Sequence, residues 1–501
     1  MSNMNQIKVG AVLSYVNILL SIAIGLITSP LLLSSFGKSE YGAYQMTAAL
    51  IGYISVLDLG LHNAVTRYVA RYIATKDKRS EENFLAISMG IFTIIGALII
   101  VVVMIVYSNL ENIYGSNATV GEIEIIRRLL LVMGLNLAIS MPGAVFSSII
   151  TAYEQFFFSR GCATIKLITR FALLLIILNL NGKSYAMVLL DFSINMLLLL
   201  IEIVFCFKHL HIKIKLYELD KKYILSVFSF SIFVFIASIT DQINWKADTT
   251  ILGIMIGTTA VTYYSIAGGL ITYYRNFSGA ISGIFLPKAT KMTATGASNS
   301  ELTDLMITVG RMQLFIIGLI LTGFTVIGKE FISLWVGEEY QEAYSWFLIM
   351  ALPLLVPMTQ SIGINILEAK FKHKFRALVY FGIALANIGL TILLVQLYGI
   401  TGAAIATGVA VFVGNNVIIN IYYSKVIGLE IGRFFKEVYL KILPIQLLLM
   451  AAMIVLERIT AISGSWFDLI IKGIILCITY CAGMYFLVMN NTEKQYVSLK
   501  R

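Results

Sequence analysis

The sequence is short of charge. Of its 501 residues only 13% are Asp, Glu, Lys or Arg, while 58% are hydrophobic; soluble domains carry about 25% charged residues. A soluble fold of this length would need a charged outer face, so the deficit points to lipid as the solvent. Cysteine is scarce too. Cys162, Cys206, Cys477 and Cys481 fall in or beside apolar segments and no CxxC pair occurs, which leaves a disulfide framework and a zinc site without support. There is no glycine-rich phosphate loop, no HExxH and no hydrophilic block large enough for a nucleotide-binding domain. Any uphill movement is therefore not driven by ATP hydrolysis in this chain. No cluster combines a poised base with a nucleophile or a metal, so an enzyme is not expected, nor a bound metal or cofactor.

What is abundant is apolar length. Segments of about 20 apolar residues, enough to cross about 30 Å of hydrocarbon, lie at 9–33, 42–64, 84–106, 127–150, 158–179, 184–206, 225–252, 259–284, 303–327, 342–367, 376–396, 400–423, 439–456 and 467–489. The expected fold class is an all-α integral membrane protein with about fourteen transmembrane helices. The first stretch is too long for a signal-peptide core of about 7–15 residues and lacks a small-x-small cleavage pattern, so it reads as a retained span.

The loops supply direction, because cytoplasmic loops collect Lys and Arg. After even-numbered segments come Arg67, Arg71, Lys76, Lys78 and Arg79, then Lys208, Lys213, Lys215, Lys221 and Lys222, and later Lys370, Lys372, Lys374 and Arg376. Arg160 and Lys166 belong to the same inner set, as do Lys500 and Arg501 at the end. Loops after odd-numbered segments are poor in base or acidic, with Glu111, Glu122 and Glu124 in one and Glu330, Glu338, Glu339 and Glu342 in another. Both termini are thus expected in the cytoplasm. Anchoring accounts for most of the net charge of +10, and no nucleic-acid surface is inferred from it.

An internal repeat divides the chain. The stretch from Ser34 aligns with that from Ile254 at an offset of 220, setting Gly37 on Gly257 and Tyr44 on Tyr264; later Gly182 aligns with Gly399 at an offset of 217. Parallel repeats of this kind imply two six-helix bundles and an added pair. The expected domains are 1–207, a basic cytoplasmic linker at 208–223, 224–424, and two further helices with a tail at 425–501.

Ionisable groups inside spans each cost about 2.5–3.5 kcal/mol on insertion scales, so several together need a cavity, a pair or a function. Arg170, Asp191, Asp241, Lys246, Asp248, Arg275 and Arg311 are the strongest cases, with Asp58, His62 and Arg67 at the inner part of the second span. In "TDQINWKADTT" the side chains of Asp241, Asn244 and Asp248 share one helix face and Lys246 lies off it. These groups line a hydrated route or lock the bundle as internal ion pairs; both readings stand at this level. Guanidinium holds phosphate oxygens by two bonds and keeps its charge when desolvated. Arg170, Lys246, Arg275 and Arg311, with Asn244, are therefore the candidate cavity residues, and the cargo they suit is anionic. Pro142, Pro353 and Pro357 remove backbone donors inside spans four and ten, where they are hinge candidates or simple bends.

These features carry a resemblance. "FGKSEYGAY" at Phe36–Tyr44, "LDLGLHNAVTRYVA" at Leu57–Ala70 and "YGITGAAIATGVA" at Tyr398–Ala410 resemble bacterial polysaccharide-biosynthesis membrane proteins. Those are the lipid-linked oligosaccharide flippases of the multidrug/oligosaccharidyl-lipid/polysaccharide exporter superfamily. The resemblance implies movement of an undecaprenyl-diphosphate-linked oligosaccharide from the cytoplasmic to the periplasmic leaflet of the bacterial inner membrane, for O-antigen, capsule or a related polysaccharide. It implies two six-helix bundles around a cationic cavity, alternating access, and membrane lipids, a polysaccharide polymerase and a chain-length regulator as partners. Asp58, Asp241 and Asp248 are then candidates for coupling to a proton or sodium gradient, and a route with no energising ion stays open. Two rivals remain: a proton- or sodium-coupled multidrug antiporter, which would favour acidic and aromatic cavity walls, and a non-transporting membrane scaffold, in which every buried charge is paired.

Overall fold

The computed structural model describes residues 3–219, 221–370, 373–459, 465–491 and 493–494. Of the basic residues expected on the inner side, Lys372, Lys500 and Arg501 lie outside the described residues, as do the side chains of Lys221, Lys222 and Lys374. Among the described residues all regular structure is helical, as apolar sequence in lipid requires, since only a helix or a closed barrel satisfies every backbone donor there.

In order the helices are α1 (Asn3–Ser55), α2 (Leu61–Thr75), α3 (Lys78–Ser108), α4 (Leu110–Tyr114), α5 (Val120–Ala152), α6 (Phe156–Asn179), α7 (Ser184–Lys208), α8 (Lys221–Met255) and α9 (Thr258–Ala294). They continue as α10 (Asn299–Trp335), α11 (Glu342–Thr359), α12 (Ser361–Ala369), α13 (His373–Tyr398), α14 (Ile400–Val411), α15 (Ile419–Tyr422), α16 (Ile431–Phe434), α17 (Leu440–Ile459) and α18 (Trp466–Gly483). Among the described residues eleven helical runs are long and apolar enough to cross a membrane, the first of them, Val12–Thr75, holding two of the expected segments. This is a multi-pass membrane fold.

Two compact units, Met1–Thr262 and Tyr263–Arg501, divide the chain. The division differs from the expected one at 208–223, because α8 packs along α1 in the first unit. Small residues make that approach possible. A Cβ on Gly52 would lie 2.7 Å from Gln242 Oε1 and 3.7 Å from Lys246 Cγ, and one on Gly253 would lie 2.8 Å from Met46 Cε. In the segment before α8, residues 209–219 have no regular structure. Asn83, at the start of α3, fastens it, accepting from the backbone of Tyr217 (2.7 Å) and Glu218 (3.0 Å) and donating to the Glu218 carbonyl (3.0 Å).

Helix ends are set by local chemistry. Thr119 and Glu122 form a reciprocal capping box at α5, and Ser298 and Glu301 one at α10. Glu122 also accepts from Ser39 of α1 (2.6 Å) and from Thr258 of α9, so one carboxylate joins three segments of the first unit. α1 is kinked at Gly37 (φ 76°), a backbone conformation that disfavours any side chain. Gly257, its counterpart in the repeat, also has positive φ, 117°. The second aligned pair is less regular: Gly399 has φ 58°, while in the first half it is Asn181 (φ 57°), not Gly182, that turns left-handed.

The three hinge candidates sit in α5 and α11, and each frees a carbonyl four residues back. The freed Ala138 oxygen lies against Gly96 of α3, where a Cβ would come within 2.7 Å; the freed Ile349 oxygen lies against Gly408 of α14, at 2.8 Å. Pro357 frees the Pro353 oxygen, which accepts from Asn416 Nδ2 at 3.1 Å. In both units a neighbouring helix covers what the proline exposes.

Candidate functional site

A candidate site lies within the first unit, a partly open cavity of about 420 Å³ walled by α5, α6 and α7 with Ile51 of α1. Helical spacing builds it. Asn136 and Ser140 of α5, Lys166 and Arg170 of α6, and Asp191 and Asn195 of α7 are three i,i+4 pairs, each presenting one face. Arg170 donates to both oxygens of Asp191, from Nε at 2.5 Å and from Nη2 at 3.0 Å, and both side chains are 27% exposed. Lys166 donates to Asn195 Oδ1, and Asn195 Nδ2 donates to Asn136 Oδ1 at 3.2 Å. Met133, Leu137, Ile51 and Val188 make the apolar part of the wall.

Lys166 is thus a correction to the sequence reading. It is a cavity residue one turn before Arg170 rather than an anchor in an inner loop. Asn136, Ser140 and Asn195 were not anticipated. Their signal is helical: Asn195 follows Asp191 by four residues, so whatever Asp191 faces, Asn195 faces also.

Lys246 lies on α8 beside Gly52, half-buried, and its ammonium has no hydrogen-bond or ion-pair partner among the described residues. Along α8 Asp241 is exposed, Asn244 half-buried and Asp248 buried, so the shared face runs from surface to core. Arg275 is half-buried on α9. Asp58 closes a 3₁₀ turn, Val56–Asp58, followed by left-handed Leu59 (φ 54°) and Gly60 (φ 68°), which break the second expected span. Its Oδ1 is buried with no hydrogen-bond partner among the described residues. His62, next on α2, meets Ser148 Oγ through Nδ1 at 2.8 Å. Beyond the break, α2 is amphipathic: Leu61, Ala64, Val65, Val69 and Tyr72 are buried, while Arg67 and Arg71 are exposed.

Arg311 does not meet its expectation. It is enclosed in the second unit, its side chain 7% exposed, and donates to both oxygens of Glu493, from Nε at 2.5 Å and from Nη2 at 3.0 Å. Nη1 donates to the Glu437 carbonyl at 2.8 Å and Nη2 also to that of Val488 at 3.1 Å. Both carbonyls belong to π-helical turns, Phe435–Tyr439 and Met484–Val488. With four of its five N–H donors bonded and its side chain enclosed, Arg311 ties α10 to the last helical turns rather than bordering the cavity described above. Glu493, beyond the last expected span, is correspondingly buried. Two further contacts hold the last helices to α10: Gln446 of α17 donates to the Gly318 carbonyl at 3.2 Å, and Lys472 of α18 to Glu330 at 2.7 Å.

A bundle of membrane-length helices with an ion pair and amides lining a cavity defines a class, that of multi-pass membrane proteins. The family follows from the sequence: residues 8–293 match the polysaccharide biosynthesis protein family, and the chain belongs to it. The fold is shared with the lipid II flippase MurJ in an inward closed conformation, at TM-score 0.74 over 99% of this chain and 100% of that one, with 17% identity. It is also similar to an inward-facing multidrug resistance MATE family transporter of the MOP superfamily, at TM-score 0.64 over 80% of this chain and 92% of that one, with 13% identity. An uncharacterized membrane protein of Methanocaldococcus jannaschii is 21% identical over 368 residues, 71% of each chain.

Proposed function

We propose that the protein carries a polyprenyl-diphosphate-linked oligosaccharide from the cytoplasmic to the outer leaflet by alternating access and catalyses no covalent chemistry. The observation that carries this reading is the polar cavity inside apolar helices of a polysaccharide-biosynthesis family member, with two cations, Lys166 and Arg170, against one acid, Asp191. That balance suits an anionic, hydroxyl-rich cargo better than a cationic drug. In this reading Lys246 and Arg275 meet the diphosphate, the first-unit cavity and Asn244 serve the glycan, and the polyprenyl tail stays in lipid. Asp58, Asp241 and Asp248 are the groups at which a proton or sodium gradient would couple. The proposed topology has fourteen spans in two six-helix repeats plus α17 and α18, both termini cytoplasmic in the inner membrane, with Pro142, Pro353 and Pro357 as bending points. Polymerase and chain-length regulator are the proposed partners.

Reconstitution tests it. Purified protein in proteoliposomes is expected to move undecaprenyl-diphosphate oligosaccharide between leaflets, and Lys246→Ala or Arg275→Ala to abolish that movement with normal insertion. Failure of wild type to move the lipid, together with gradient-driven passage of a cationic dye, would transfer the protein to the antiporter reading.

A further inference from the structure

We infer that the cavity between α5, α6 and α7 is a saccharide subsite that binds sugar hydroxyls and does not hold the diphosphate. This rests on the flippase reading and divides its cargo between two places.

The charge arrangement carries the argument. A phosphate has only acceptors and needs uncompensated donors, yet Arg170 already gives two bonds to Asp191, at 2.5 and 3.0 Å. An incoming phosphate there meets the Asp191 carboxylate as well. A sugar hydroxyl has different needs, since it donates one hydrogen bond and accepts up to two. The cavity supplies both kinds of partner side by side. Asp191 is acceptor only and Lys166 donor only, while Asn136, Asn195 and Ser140 are each both.

The existing bonds orient these groups without exhausting them. Asn195 receives from Lys166 and donates one amide hydrogen to Asn136, which fixes the direction of both amides and leaves the Asn136 amide nitrogen without an acceptor among the described residues. Ser140 Oγ donates to the Asn136 carbonyl at 2.7 Å, leaving its lone pairs open. Amide direction, which sequence leaves undetermined, is here set by the lysine. The volume, about 420 Å³, lies within the range of about 300–1,000 Å³ usual for small-molecule sites. Ile51, Met133, Leu137 and Val188 offer the C–H faces of a pyranose an apolar wall. By contrast the Lys246 ammonium, with no partner among the described residues, has its donors open for phosphate.

The test compares two probes on the full chain in nanodiscs: undecaprenyl diphosphate, and the same lipid bearing one N-acetylhexosamine. Wild type is expected to bind the sugar-bearing probe more tightly. Asn136→Ala and Asn195→Ala are expected to weaken that probe by about tenfold, the value of one well-made hydrogen bond, while leaving the bare diphosphate within about twofold. Ser140→Leu, which fills the cavity and removes no ion-pair partner, is expected to act in the same way. Lys246→Ala weakens both probes. Equal weakening of both probes by the cavity variants would overturn the subsite, as would no weakening, which would mean that the cavity holds only water. Wild type that binds neither probe would instead remove the flippase reading on which the subsite stands.

Discussion

Two arginines look alike in the sequence and do opposite things in the structure. Arg170 and Arg311 each interrupt a long apolar helix, and each holds a carboxylate by the same two-bond geometry, with identical distances of 2.5 and 3.0 Å. Around Arg170 the pair is about a quarter exposed and borders a cavity, while the Arg311 pair is 7% and 6% exposed and takes in two backbone carbonyls besides. Chemistry of the pair therefore does not separate a site from a lock. Water access and spare hydrogen-bonding capacity do, because desolvating a charge is tolerated only when every donor is satisfied.

The largest effect should come from breaking the enclosed pair. Glu493→Ala leaves Arg311 charged and buried, and is expected to destabilise the second unit by about 3–5 kcal/mol, read as a lowered thermal unfolding midpoint in detergent. Replacing both partners by Met should recover most of that loss, since an apolar pair of similar volume is often neutral. Gly318→Val probes the same docking of the last helices. Its Cβ would sit 2.7 Å from Tyr480 Oη and 3.0 Å from Gln446 Oε1, so overpacking should cost about 1–3 kcal/mol. Arg170→Ala should cost less than Glu493→Ala, about 1–3 kcal/mol, because water reaches the abandoned Asp191, yet it should abolish transport. Asn195→Ala sharpens the contrast from the other end, with a stability change of about 1 kcal/mol or less in the same unfolding assay.

The comparison also marks how far sequence reading reaches. Apolar length was enough to announce a multi-pass helical fold, because the bilayer constrains length directly, and the glycine match of Gly37 with Gly257 identified two turns of positive φ. Arg170 and Asp191 were both visible as charges the membrane resists. Their pairing was not, since residues 21 apart on different helices meet only through tertiary packing. For Arg311 the partner lies 182 residues away, and its two carbonyl acceptors come from π-helical turns that no residue pattern announces. Lys166 was misassigned for a related reason: near a span end, a lysine that anchors and one that turns inward have the same sequence. Neutral amides such as Asn136 and Asn195 drew no attention because they carry no charge, yet they line the cavity and offer it both donors and acceptors.

The most direct test sets the two pairs against each other in one transport assay. Proteoliposomes with wild type, with Arg170→Met and Asp191→Leu together, and with Arg311→Met and Glu493→Met together would be scored for leaflet-to-leaflet movement of undecaprenyl-diphosphate oligosaccharide. The account predicts transport abolished in the first double variant and kept in the second, both folded. Transport that survives loss of the Arg170–Asp191 pair, or fails only with loss of the Arg311–Glu493 pair in a folded protein, would contradict it.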